Sequence, residues 1–168
     1  RINALAGRDG VKVNIALRFN PDIDANTHHY ITTGKKENKF GIDEDTIKSI
    51  FTGKSSYGNI NLIGLHMHIG SQITESEPYV HALKRASVLI GLLRKQGHEI
   101  EYCNIGGGLG IVYDKEKPQT AAGFARAVSP LLKRLKVKVI LEPGRFIVGN
   151  AGALVTTVLY VKETAHKR

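Results

Sequence analysis

Three short runs of this sequence hold residue types that can do chemistry, and each follows an apolar stretch. The first is Gly64-Leu65-His66-Met67-His68-Ile69-Gly70-Ser71-Gln72. In an extended chain side chains alternate, so His66 and His68 share one face and Met67 takes the other. Two imidazoles facing one space can ligate a metal, or stack on a ring and handle protons; they can equally be two hydrogen-bonded core histidines. Gly70 and Ser71 favour an anion site, because glycine lets backbone approach a ligand and serine adds a hydroxyl donor.

The second run is Asn104-Ile105-Gly106-Gly107-Gly108-Leu109-Gly110. Backbone N–H groups in such a loop can cradle a phosphate, although a merely flexible loop has the same composition. It is not the dinucleotide fingerprint: counting from Gly106, the third glycine of G-x-G-x-x-G falls on Ile111. The third run, Glu142-Pro143-Gly144-Arg145, closes the apolar residues 137–141, which read as a buried strand. A carboxylate at the end of a buried strand is costly unless partnered. Glu142 therefore either pairs with Arg145 across the turn, or holds a protonated nitrogen of a bound heterocycle while Arg145 binds an acidic group.

The elements that must carry these runs follow from pattern. Residues 11–19 alternate and then turn apolar before Asn20-Pro21, as a strand entering a loop does. Phe40-Gly41-Ile42 is a short apolar patch compatible with a brief strand. Asp43 is a good cap for a helix through about Phe51, with Gly53 behind it. Residues 61–68 predict a second strand. After it Ser76 caps a helix with Pro78 in its first turn and an apolar face of Val80, Leu83, Val88, Leu89, Leu92 and Leu93, closed by Gly97. Residues 100–105 predict a third strand, residues 121–135 a helix that Pro130 should kink or split, and residues 137–141 a fourth strand. Strands separated by helices argue an α/β fold with parallel pairing. The chemically loaded residues then sit at the carboxyl ends of successive strands, where barrels and open sheets both place their sites. Residues 153–161 form one more β-branched run with no helix before it, which breaks the rhythm.

Composition bounds the rest. The 168 residues, 42% of them hydrophobic, suit one domain or part of one, and no apolar run reaches the length of a membrane helix. No secretory leader is evident and Cys103 is the single cysteine, so a cytoplasmic, disulfide-free protein is expected. The net charge of +9 is spread over short clusters such as Lys35-Lys36 and Lys133-Arg134, without interleaved aromatics. That argues against nucleic acid as a partner.

Taken in order, the runs resemble the barrel domain of the alanine-racemase-like (fold type III) pyridoxal-phosphate-dependent decarboxylases. Arg18-Phe19-Asn20-Pro21, Thr27-His28, Thr33-Gly34 and the stretch from Lys39 to Ile42 lean towards the diaminopimelate-specific branch. The resemblance implies a partial (β/α)8 barrel of the TIM type over residues 1–152, with residues 153–168 a strand leading to a β domain outside this chain. It implies that His68 stacks on the pyridine ring of pyridoxal 5'-phosphate, and that Ser71 with Gly106, Gly107 and Gly108 holds its phosphate. Glu142 would keep the ring nitrogen protonated. Backbone around Pro143, Gly144 and Arg145 would complete the cradle, and the Arg145 side chain would meet a substrate carboxylate.

The implied reaction is decarboxylation of meso-diaminopimelate to L-lysine, in a homodimeric parent. The lysine that carries the cofactor and the catalytic cysteine would lie outside these residues, and Lys35, Lys36, Lys39 and Cys103 match neither. The 168-residue chain alone is expected to be inactive. Arginine or ornithine decarboxylases share the glycine loop and Glu-Pro-Gly-Arg, and a non-catalytic relative that only holds the cofactor is a further reading. A metal-dependent hydrolase built on His66 and His68 is thinly supported, since Glu142 is the only other ligand type at the later strand ends.

Overall fold

The computed structural model describes residues 1–23 and 40–163. The Thr27-His28 and Thr33-Gly34 matches and Lys35, Lys36 and Lys39 lie outside the described residues. Helix α1 (Ile2–Arg8) leads into strand β1 (Val13–Arg18), and α2 (Glu44–Thr52) with a short 3-10 turn precedes β2 (Ile60–His66). Then come α3 (Glu77–Lys95), β3 (Tyr102–Asn104), α4 (Ala121–Leu135), β4 (Lys138–Ile140) and α5 (Gly144–Val148). The four strands form one parallel sheet in the order β1-β2-β3-β4, with a register irregularity in β1 between Ile15 and Ala16. This is the expected α/β architecture, and an open four-stranded sheet is what part of a barrel presents. The brief strand near Phe40 is reduced to a single parallel bridge between Phe19 and Ile42.

The helix ends show why these segments stop where they do. Asp43 accepts from Thr46 N–H at 2.8 Å and caps α2. Past α3, Gly97 adopts φ +82°, Gly97 N–H bonds the Arg94 carbonyl and His98 N–H bonds the Leu93 carbonyl, which is the glycine-terminated Schellman arrangement. Ser76 precedes α3 but does not cap it with its side chain; the hydroxyl is engaged by Gln119 instead.

Four expectations are corrected. Helix α3 buries Tyr79, Ala82, Leu83, Ala86, Leu89, Ile90 and Leu93, whereas Val88 is 63% exposed and Leu92 is 40% exposed. Small alanines at helical spacing let α3 approach its neighbours, so the buried stripe is rotated away from the one that large apolar residues suggested. Pro130 lies inside α4 without interrupting it. It is exposed, so the carbonyl of Arg126 that it leaves without a donor faces water. Strand β4 is exposed along its length, with Val139 at 39% and Ile140 at 42%, because no described strand pairs with its outer edge. Residues 153–163 form neither helix nor strand, so the β-branched run there is not a strand among the described residues.

The core lies between the sheet and helices α2, α3 and α4, around Phe19, Phe51, Leu65, Met67, Tyr79, Leu89 and Cys103. Each large apolar side chain buried there contributes about 2 kcal/mol relative to exposure. Arg94 ties the far ends together: its guanidinium donates to the carbonyls of Leu135 at 2.6 Å and Ile100 at 2.7 Å. A cation on the last carbonyls of α4 also suits the negative end of that helix.

Candidate functional site

Register explains how residues far apart in sequence meet. Arg18 pairs with His66 across β1 and β2, His66 with Asn104 across β2 and β3, and Asn104 with Ile140 across β3 and β4. One row therefore crosses the sheet at the carboxyl ends of its strands. Two residues further along each chain come His68, Gly106 and Glu142, and the period of two keeps them on the same side as the row before. All three chemical runs converge there.

Asn104 is the hub. Its Nδ2 donates to Glu142 Oε1 at 2.7 Å, and its Oδ1 accepts from Gly106 N–H at 2.9 Å. A backbone N–H can only donate, so the Gly106 bond sets which way the amide faces and obliges its NH2 to meet the carboxylate. Sequence reasoning placed Asn104 in the run but gave it no role; a polar residue closing a strand just before a glycine was the available signal. His66 Nε2 lies 3.7 Å from the same Glu142 oxygen and has no hydrogen-bond partner. Burial pushes the His66 imidazole below its ordinary value of 6.5, against the pull of Glu142, so this contact is not an ion pair at neutral pH. His68 is shifted downward too, by burial first and then by the Arg18 guanidinium.

Glu142 is 49% exposed. It ends an edge strand rather than a buried one, so burial is not what demands its partners. Nor does it pair with Arg145: that guanidinium donates to Tyr113 Oη at 2.6 Å and lies over the Tyr113 ring, 5.7 Å from its centroid. The local Glu142–Arg145 pair is thereby set aside.

The glycine loop is ordered by its neighbours. A Cβ on Gly106 would come within 2.5 Å of the Met67 carbonyl oxygen, one on Gly107 would overlap the Glu142 carbonyl, and one on Gly108 would overlap the Gly70 carbonyl. Gly106 and Gly108 also hold φ of +72° and +98°, open to glycine and strained for other residues. Gly107 N–H donates to His68 Nδ1 at 3.2 Å, which makes that nitrogen an acceptor. Two of the three glycine N–H groups are thus spent within the protein. Gly108 N–H has no acceptor among the described residues.

Segment 70–73 is zipped to the loop: Ile73 N–H donates to the Gly108 carbonyl and Gly110 N–H to the Ile73 carbonyl. Gln72, at φ +59°, pairs its amide with both backbone groups of Ile111, at 2.6 and 3.1 Å. Ser71 lies beside this seam, partly buried, its hydroxyl without a partner among the described residues. Cys103 is buried behind the sheet and burial pushes its thiol up to about 12, which makes it inert as a nucleophile. Among the described residues no group of three His, Cys, Asp or Glu side chains is placed to hold a metal ion.

Comparison with known proteins converges on one family. Residues 1–149 match the family described as pyridoxal-dependent decarboxylase, pyridoxal binding domain. Diaminopimelate decarboxylase of Pseudomonas aeruginosa is 43% identical over 167 residues, 99% of this chain and 40% of the relative. The enzyme of the same name from Aquifex aeolicus is 42% identical with the same coverage. Among solved structures, diaminopimelate decarboxylase from Helicobacter pylori complexed with L-lysine superposes with a TM-score of 0.81 at 35% identity, over 86% of this chain and 36% of that one. An arginine decarboxylase from Paramecium bursaria Chlorella virus gives 0.62 at 29% identity, over 79% of this chain and 34% of that one. The chain spans about 40% of the length of the curated relatives it matches.

Proposed function

The chain belongs to the pyridoxal-dependent decarboxylases, and on that footing we propose that it forms part of the cofactor-binding barrel of an enzyme that removes a carboxylate from meso-diaminopimelate to give L-lysine. One observation carries the reading: His68, the glycine loop and the half-exposed Glu142 carboxylate meet at the carboxyl ends of three adjacent parallel strands. These groups fit pyridoxal phosphate. An outward N–H with no protein acceptor and the Ser71 hydroxyl suit a phosphate, and a carboxylate aimed by Asn104 suits a protonated ring nitrogen.

When bound, pyridoxal phosphate supplies an electron sink for the pair left behind by departing carbon dioxide. Everything else falls to side chains and backbone. Glu142 would accept a hydrogen bond from the ring N–H and keep that proton in place. His68, held by Gly107 N–H and kept neutral by burial, would flank the ring. Ser71 and the backbone N–H groups of Gly108 and Arg145 would take the phosphate; the expected share of Pro143 and Gly144 falls away, because proline has no N–H and Gly144 N–H is spent on the Glu142 carbonyl at 2.8 Å. The Arg145 guanidinium has five donors and spends one on Tyr113, so a planar carboxylate of the substrate can still be gripped.

The 43% relatives named for diaminopimelate support that substrate over arginine or ornithine. We extend the proposal to a cytoplasmic, homodimeric parent in which residues 153–168 lead towards a β domain; no described helix is long and apolar enough to cross a membrane. The test is carbon dioxide release by the native-length protein with pyridoxal phosphate, offered meso-diaminopimelate, ornithine or arginine. Release from diaminopimelate alone is expected. Release from a rival would replace the substrate, and release from none would leave a cofactor-holding relative.

A further inference from the structure

The loop that would receive the phosphate is steered from beneath by a residue with no assigned part in the chemistry. Tyr79 lies on α3 and is 1% exposed. Its ring stands edge-on to Phe124, with centroids 4.9 Å apart, and its hydroxyl donates to the Gly107 carbonyl at 2.9 Å. Burial drives the phenol's pKa upward, so the hydroxyl keeps its proton and remains a donor.

The consequence runs through the geometry of one peptide. In a planar trans peptide the C=O and the following N–H point in opposite directions. Tyr79 draws the Gly107 carbonyl down into the core, so the Gly108 N–H is turned away from Tyr79. That N–H is the one in the glycine triplet with no protein acceptor among the described residues, and Gly108 is partly exposed while Gly106 and Gly107 are buried. Among the described residues the phenol is the one donor to the Gly107 carbonyl. A peptide between two glycines has few steric barriers to reversal, and a buried carbonyl left without a donor has reason to reverse.

We propose that Tyr79 is a positioning residue for the anion site, aiming the Gly108 N–H at a phosphate oxygen by holding the Gly107 carbonyl. The inference rests on the cofactor reading above and adds the residue that sets its phosphate donor. The test compares pyridoxal phosphate with pyridoxal, which lacks the phosphate, as ligands of native-length protein by equilibrium titration. Tyr79→Phe keeps the ring and removes the hydroxyl; it should weaken pyridoxal phosphate about tenfold, as loss of one charge-assisted bond does, and leave pyridoxal unchanged.

Equal weakening of both ligands, or of neither, would overturn the role of Tyr79. No binding of pyridoxal phosphate by the wild type would instead overturn the cofactor reading and this inference with it. A second readout needs no variant. The Gly108 amide proton resonance of the wild type should move downfield on adding pyridoxal phosphate and stay in place with pyridoxal; an unmoved resonance in both cases would refute the proposal.

Discussion

Replacing Asn104 by alanine removes two bonds of different worth, and the difference can be measured. Gly106 is buried, and its N–H has the Asn104 Oδ1 as acceptor at 2.9 Å. Leaving that donor unpaired costs about 1–3 kcal/mol. The other arm, 2.7 Å to Glu142, ends on a carboxylate that water can reach, so its loss costs under about 1 kcal/mol. Asn104→Ala should therefore destabilise the cofactor-free native-length protein by about 2 kcal/mol, read as a fall in urea midpoint at unchanged slope. Asn104→Asp separates the arms. It keeps an acceptor for Gly106 but sets a second carboxylate against Glu142, so its cost should shrink in high salt and vanish in a Glu142→Gln background. The reasoning fails if Asn104→Ala lies within about 0.5 kcal/mol of wild type, or if Asn104→Asp stays equally unstable once Glu142 is neutral.

Two further outcomes are expected. Gly107→Ala forces a methyl onto the Glu142 carbonyl and should cost about 3 kcal/mol in thermal or urea unfolding, whereas Gly144→Ala, with nothing within 4 Å of the added carbon, should stay within about 0.5 kcal/mol of wild type; equal effects would show that the loop yields. His66 and His68 both have folded-state values below 6.5, so their contribution is fully present above that pH and is lost as pH falls through the lowered values, where the unfolded chain binds protons first. The melting temperature should decline on acidification below about pH 6.5, less steeply in His66→Asn; parallel curves for the two proteins would contradict this.

Much of this arrangement is legible in the sequence. Alternation marks β1 and β2, Asp43 and Gly53 bracket α2, and three polar runs after apolar stretches mark the strand ends where the site gathers. What stayed hidden has two physical origins. Burial depends on neighbours, so the apolar residues of β4 read as core although the strand lies at an open edge, and Ala82 and Ala86 rather than Val88 and Leu92 set the packed stripe of α3. Hydrogen bonds between distant elements leave no periodic trace. Asn104 to Glu142 spans 38 residues, Tyr79 to Gly107 spans 28 and Arg94 to Leu135 spans 41, and each depends on a register that only the folded sheet supplies.

The order of the sheet has a consequence for how the chain comes to be built. Because β1, β2, β3 and β4 lie side by side in the order of synthesis, each strand leaving the ribosome finds its hydrogen-bonding neighbour already in place. No strand must wait for a later one to be threaded between its partners, and the growing edge is always the newest strand. Tandem gain of one β–α unit would extend such a sheet without disturbing the pairings behind it. The site inherits the same logic: Glu142 is made after the three strands before it, and it is set by joining a row that Arg18, His66 and Asn104 have already laid down.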